Sequence, residues 1–173
     1  MVTLPSDLPD QIGVENRTQL LHDFGAFMTL WSEFEIVLEI AIARLAEMKP
    51  LAASIVLGGL SFGNKPSILY SLLVEAGEQS KIEPVKALIN HARRNALVHG
   101  TPATEDDYSN FAFIKRDIKD RYRVSRAEFT AAQFHEHFLE FRRLHLAAAD
   151  ALNISGDDIE DYAKAGRFGQ QGT

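Results

Sequence analysis

Along residues 16–48 the apolar positions Leu20, Phe24, Phe27, Met28, Trp31, Phe34, Leu38, Ile42 and Leu45 recur every three or four residues, which is the spacing of one buried helix face. The stretch predicts one long helix, ended by Lys49-Pro50 because a residue preceding proline is pushed out of helical geometry. "LAASIVLGGL" predicts a short second helix closed by Gly58-Gly59. "SFGNKPSILYSLLVEAG" opens on a Gly-Asn turn and continues as a third, with Pro66 in its first turn. "KIEPVKALINHARRNALVHG" gives a fourth, with Pro84 early, Gly100 just past the end and Pro102 beyond it.

The period then shortens. "NFAFIKRD" and "DRYRVSR" alternate and are rich in aromatic and β-branched residues, so they predict a β-hairpin around Ile118-Lys119-Asp120. "RAEFTAAQFHEHFLEFRRLHLAAADAL" returns to helical spacing as a last long helix. The ends, about 1–13 and 164–173, are polar and carry glycine, the composition of flexible tails. The expected fold is mainly α: a single domain spanning 1–173, an antiparallel helical bundle with one β-hairpin inserted before the last long helix.

Composition changes this picture in three places. At 173 residues and 46% hydrophobic content the chain supports one ordinary core. It has no apolar run near the roughly 20 residues of a membrane span, and "MVTLPSDLPDQIG" lacks the regions of a signal peptide. A cytoplasmic protein without a membrane partner is expected. The absence of cysteine removes disulfides and thiolate chemistry, leaving only His and carboxylates as metal ligands. His135-Glu136-His137 does not fill that gap, because helical neighbours two apart point about 200° from each other. No Glu-x-x-His occurs anywhere, so no di-iron bundle and no metal or other cofactor is expected. "GGLSFGNKPS" has Gly58 and Gly63 spaced as in a phosphate loop, but Asn64 intervenes before Lys65 and no strand precedes it. Finally, the net charge of -6 is unevenly spread: residues 115–126 hold six basic and two acidic residues, +4, leaving -10 for the rest. A basic hairpin on an acidic body has two explanations. Lys115, Arg116, Lys119, Arg121 and Arg123, with Arg126, could hold an RNA backbone while Tyr122 or Phe113 stacks on a base. Equally, Lys and Arg commonly guard exposed sheet edges against aggregation.

The end of the fourth helix concentrates the chemistry. Laid out from Val85 at about 100° per residue, the core stripe is Val85, Leu88, Ile89, Ala92 and Ala96. Asn95 and His99 share one shoulder of that stripe, and Arg94 points to roughly the opposite side. A continuous helix therefore keeps Arg94 from His99, and their cooperation needs a deformed last turn or a second copy of the chain. Cations at a helix C-terminus also favour the macrodipole, without any further role. Glu35 lies inside the apolar stripe of the first helix, with Glu39 one turn on. Its carboxylate either reaches solvent or is buried and needs a cation, for which Arg93, Arg94 and His99 are of the right kind.

The run Arg94-Asn95-Ala96-Leu97-Val98-His99, late in a bundle helix, followed by Gly100 and preceded by a first helix carrying "WSEFEIVLE", resembles the Arg-x4-His motif of the HEPN superfamily. The layout is similar over residues 16–152, and "LSFGNKPSIL" resembles a loop of some HEPN-like proteins. The resemblance implies a HEPN-like bundle and a metal-independent endoribonuclease of host-defence or toxin-like systems, acting as a homodimer that joins two motifs in one cleft. It makes Arg94 and His99 the catalytic pair and Asn95 the polar residue that orients the imidazole or the phosphate. The chemistry suits them: an imidazole moves a proton near neutrality, and a guanidinium fork grips phosphate oxygens in pairs. The same resemblance also admits a catalytically inactive module that binds a nucleotide or another protein, such as a nucleotidyltransferase-type partner or an antitoxin.

Overall fold

The computed structural model describes residues 11–104, 110–118 and 122–167. It is mainly helical with a small antiparallel sheet. Helices α1 (Gln11–Leu45), α2 (Pro50–Gly58), α3 (Asn64–Glu75) and α4 (Ile82–His91) come first, with a 3-10 turn at Gln79–Lys81. A four-residue helix α5 (Arg94–Leu97) follows, then strands β1 (Thr101–Thr104), β2 (Asn110–Ile118) and β3 (Tyr122–Thr130), and finally α6 (Ala131–Ala151) and α7 (Gly156–Arg167). Among the described residues no helix is long and apolar enough to cross a membrane.

The chain divides into two compact units, Met1–Met28 with Ala92–Glu140 and Thr29–His91 with Phe141–Thr173. The first is built on phenylalanine. Strand alternation puts Phe111, Phe113 and, from β3, Phe129 on one face of the sheet. Phe24 stacks on Phe113 at 5.4 Å between centroids, and Phe134 meets Phe111 and Phe129 edge-on at 5.5 and 5.4 Å. In the second, Trp31 packs against Phe62, Phe34 and Phe141 above buried Leu38, Ile42, Leu69, Val85 and Leu88.

Five expectations are corrected. The fourth helix is not continuous: it stops at His91 and restarts at Arg94. The hairpin is present, but β1 pairs with β2 (Thr101↔Ile114, Thr104↔Phe111) to make three strands in the order β1-β2-β3. β1 is an edge strand of the described sheet, the position where a strand proline such as Pro102 is ordinarily found. "RAEF" belongs to β3, and α6 begins only after Thr130, whose side chain and that of Gln133 cap each other's backbone N–H at 3.1 and 2.9 Å. A separate helix, α7, follows α6 after Asn153 takes a left-handed turn at φ 55°. Residues 11–13 and 164–167, expected in flexible tails, lie within α1 and α7; residues 1–10 and 168–173 fall outside the described residues.

Candidate functional site

Arg93 is the turn residue between α4 and α5. Its backbone is left-handed (φ 47°, ψ 29°), a conformation that costs a residue with a Cβ about 1–2 kcal/mol. Its carbonyl accepts the N–H groups of Ala96 and Leu97 at 2.9 and 3.2 Å and its guanidinium lies 5.7 Å from the ring centroid of Phe129, with Leu97 buried just beyond. α5 packs on β2 and β3. Gly100 then leads into β1 so closely against the sheet that a Cβ there would meet the Ala96 carbonyl oxygen and stand 2.9 Å from the Phe113 Cβ.

The break redirects Arg94. Its Nη1 donates to Nε2 of His99 at 2.7 Å, so a single chain joins the two residues that a continuous helix would keep apart. Arginine has no acceptor, so Nε2 carries the lone pair and the imidazole proton sits on Nδ1. His99 is exposed and Arg94 half-buried. The pair is therefore an imidazole at the surface with a cation already bonded to its basic nitrogen. Asn95 is exposed on the same short helix.

The described basic residues of the hairpin do not share one face. Lys115 and Arg116 are consecutive in β2 and so point to opposite sides of the sheet, while Arg123 stands opposite Asp117 in register. Arg126 pairs with Glu128. Lys119 and Arg121 lie outside the described residues, as do the side chains of Tyr122 and Arg123. Phe113 is no stacking platform, since it is 3% exposed and serves the phenylalanine core.

Glu35 belongs to the second unit. It is half-buried, accepts from Trp31 Nε1 at 2.7 Å and stands 3.8 Å from Lys65 Nζ. Lys65 donates to Glu39 at 2.6 Å, and Glu39 also accepts from the Tyr162 hydroxyl at 3.1 Å. Burial, with the Glu39 charge and hydrogen bond beside it, pushes the Tyr162 hydroxyl far above its ordinary range. Lys65 thus supplies a cation for Glu35 and Glu39 of α1, a role that no local pattern assigns to it.

Asp23 is not among the candidate residues read from the sequence. It is fully buried in the first unit, where Gln19 Nε2, His22 Nδ1 and His135 Nδ1 approach its oxygens at 2.8, 3.1 and 2.9 Å. Burial raises its pKa, but these hydrogen bonds outweigh that and hold it below the usual 3.8. Its place was legible: position 23 lies three after Leu20 and four before Phe27, on the apolar face of α1. His137, on the other side of α6, packs on Phe27, Phe129 and Phe134. No family model, curated protein or solved structure matches the chain.

Proposed function

We propose that this protein is a HEPN-like, metal-independent endoribonuclease of the cytoplasm, in a host-defence or toxin-like setting, with Arg94 and His99 as its catalytic pair. The observation that carries the reading is the 2.7 Å bond between them, made across a helix break that costs backbone energy to maintain. In the proposed reaction the 2′-oxygen of RNA attacks the adjacent phosphorus and its proton passes to an imidazole. The P–O5′ bond breaks, and the leaving 5′-oxygen takes a proton from a second imidazole, giving a cyclic phosphate and a 5′-hydroxyl. Arg94 offsets the charge that builds on the phosphoryl oxygens. Each Arg-x4-His motif supplies one imidazole, so two copies of the chain would complete the site, with Asn95 orienting the phosphate.

A second reading, a HEPN-like module that binds a nucleotide or a protein partner without turnover, is favoured by one detail: Arg94 already occupies the nitrogen that would accept the proton. Incubation with mixed RNA in EDTA separates the two. Cleavage by the wild type that falls at least about 100-fold in folded His99→Ala and Arg94→Ala variants supports the nuclease, since a positioned acid or base contributes on that order. RNA left intact by all three proteins overturns it.

A further inference from the structure

We infer that His135, held on the buried carboxylate of Asp23 with His22 beside it, is a phosphoryl-accepting histidine: its Nε2 takes a phosphoryl group from a donor with a good leaving group, an acyl phosphate or a phosphoramidate. Arg94 and His99 take no part in it, so it stands or falls apart from the ribonuclease reading.

The chemistry starts from Asp23. Its carboxyl is fully buried with its pKa held below 3.8, so near neutral pH it is an anion that can only accept hydrogen bonds. One oxygen accepts from Gln19 Nε2 at 2.8 Å and His135 Nδ1 at 2.9 Å, and the other from His22 Nδ1 at 3.1 Å. Each neutral ring therefore keeps its proton on Nδ1 and its lone pair on Nε2. Among the described residues no hydrogen bond reaches either Nε2. The rings are not buried with their anchor: the side chain of His135 is 43% exposed and that of His22 73%, against 1% for Asp23. Since Nε2 lies across each ring from Nδ1, the free lone pairs face solvent. His135 is the better held of the two, because its bond is shorter and ties α6 to α1, where His22 only meets its neighbour in sequence. The core steadies that tie. Phe24, next to Asp23, lies 6.3 Å from Phe134, next to His135, between ring centroids.

In the proposed step the Nε2 lone pair of His135 attacks phosphorus, and the bond to the leaving group breaks and takes its electron pair away. The ring becomes positively charged while keeping its Nδ1 proton, and Asp23 stands at that proton to offset the charge. The incoming group is an anion, and His22, when protonated, adds a cation on the same carboxylate. A neutral acyl group would gain nothing from it. Exposure fits the same role, because a ring on the surface can enter the active site of a donor protein.

Phosphoramidate, a small phosphoryl donor, tests this on the wild-type chain near neutral pH, with peptide mass spectrometry to locate the label and phosphorus-31 NMR to identify the nitrogen. His135 should take the phosphoryl group at Nε2 at least about tenfold faster in the native chain than in the urea-unfolded chain, the factor set by one charge-assisted hydrogen bond. Asp23→Asn keeps the size and an acceptor but removes the anion, and should bring the native rate down to the unfolded one. His135→Gln should lose the label. His99→Ala should carry it on His135 at the wild-type rate, which separates the result from any RNA cleavage. His135 labelled no faster in the native chain than in urea overturns the proposal, and so does label at Nδ1 or a wild-type rate in Asp23→Asn. Label on His22 in place of His135 overturns the choice of nucleophile. Should Asp23→Asn fail to fold, the comparison of native and unfolded wild type decides alone.

Discussion

His145 is 4% exposed, lies edge-on to Phe34 at 6.4 Å between ring centres, and has no hydrogen-bond partner on either ring nitrogen among the described residues. Burial lowers its pKa from 6.5, with the Glu33 charge opposing only in part. The folded state therefore holds this ring neutral while the unfolded chain protonates it near pH 6.5, so stability is complete above that value and falls as the pH drops below it. Urea titrations should give a lower midpoint at about pH 5.5 than at about pH 7.5, and His145→Leu should remove part of that difference. An equal drop in both proteins would place the acid sensitivity elsewhere. Asp23 does not confuse the measurement, because its lowered pKa delays its own loss of stability to below 3.8. The two buried groups differ for a physical reason: Asp23 keeps its charge because donors reach its oxygens, and His145 loses its charge because burial leaves both ring nitrogens without a partner among the described residues.

At the scale of elements, the turn from α4 into β1 decides the site. The sequence offers no glycine or proline where the helix breaks, at Arg93, and the helical period of Val85, Leu88, Ala92 and Ala96 runs across it undisturbed. The break is a tertiary product: α5 must lie on β2 and β3, and Gly100 must pass under Phe113. Gly100→Ala tests the second condition. A Cβ there collides with backbone and with Phe113, so thermal or urea unfolding should show a loss of about 1–3 kcal/mol, together with a changed His99 environment. A variant as stable as the wild type would mean that the close approach is not required. Other boundaries were open to sequence reasoning. Thr130 with Gln133, and Ser155 with Asp158, are capping boxes in plain view, and their side chains make the reciprocal bonds that start α6 and α7.

For the whole molecule, the reading turns on copy number. One chain already joins Arg94 to His99, but it carries one such motif, and the proposed ribonuclease mechanism uses two imidazoles, one to take a proton and one to give it. Sedimentation equilibrium or light scattering should therefore give twice the 19.3 kDa chain mass at the concentrations where RNA is cleaved. A monomer with full activity would remove the composite site and require a second imidazole from the same chain. The mainly helical character and the hairpin are readable from the chain alone, because helical and strand periods are local properties, and Arg94 and His99 are proposed from their motif. That Arg93 breaks the helix, that Lys65 answers Glu39 and that Asp23 is buried among donors came from the folded chain alone. Each of these depends on residues far apart in sequence competing for one small volume, where packing and hydrogen bonding outweigh the local preference of the backbone.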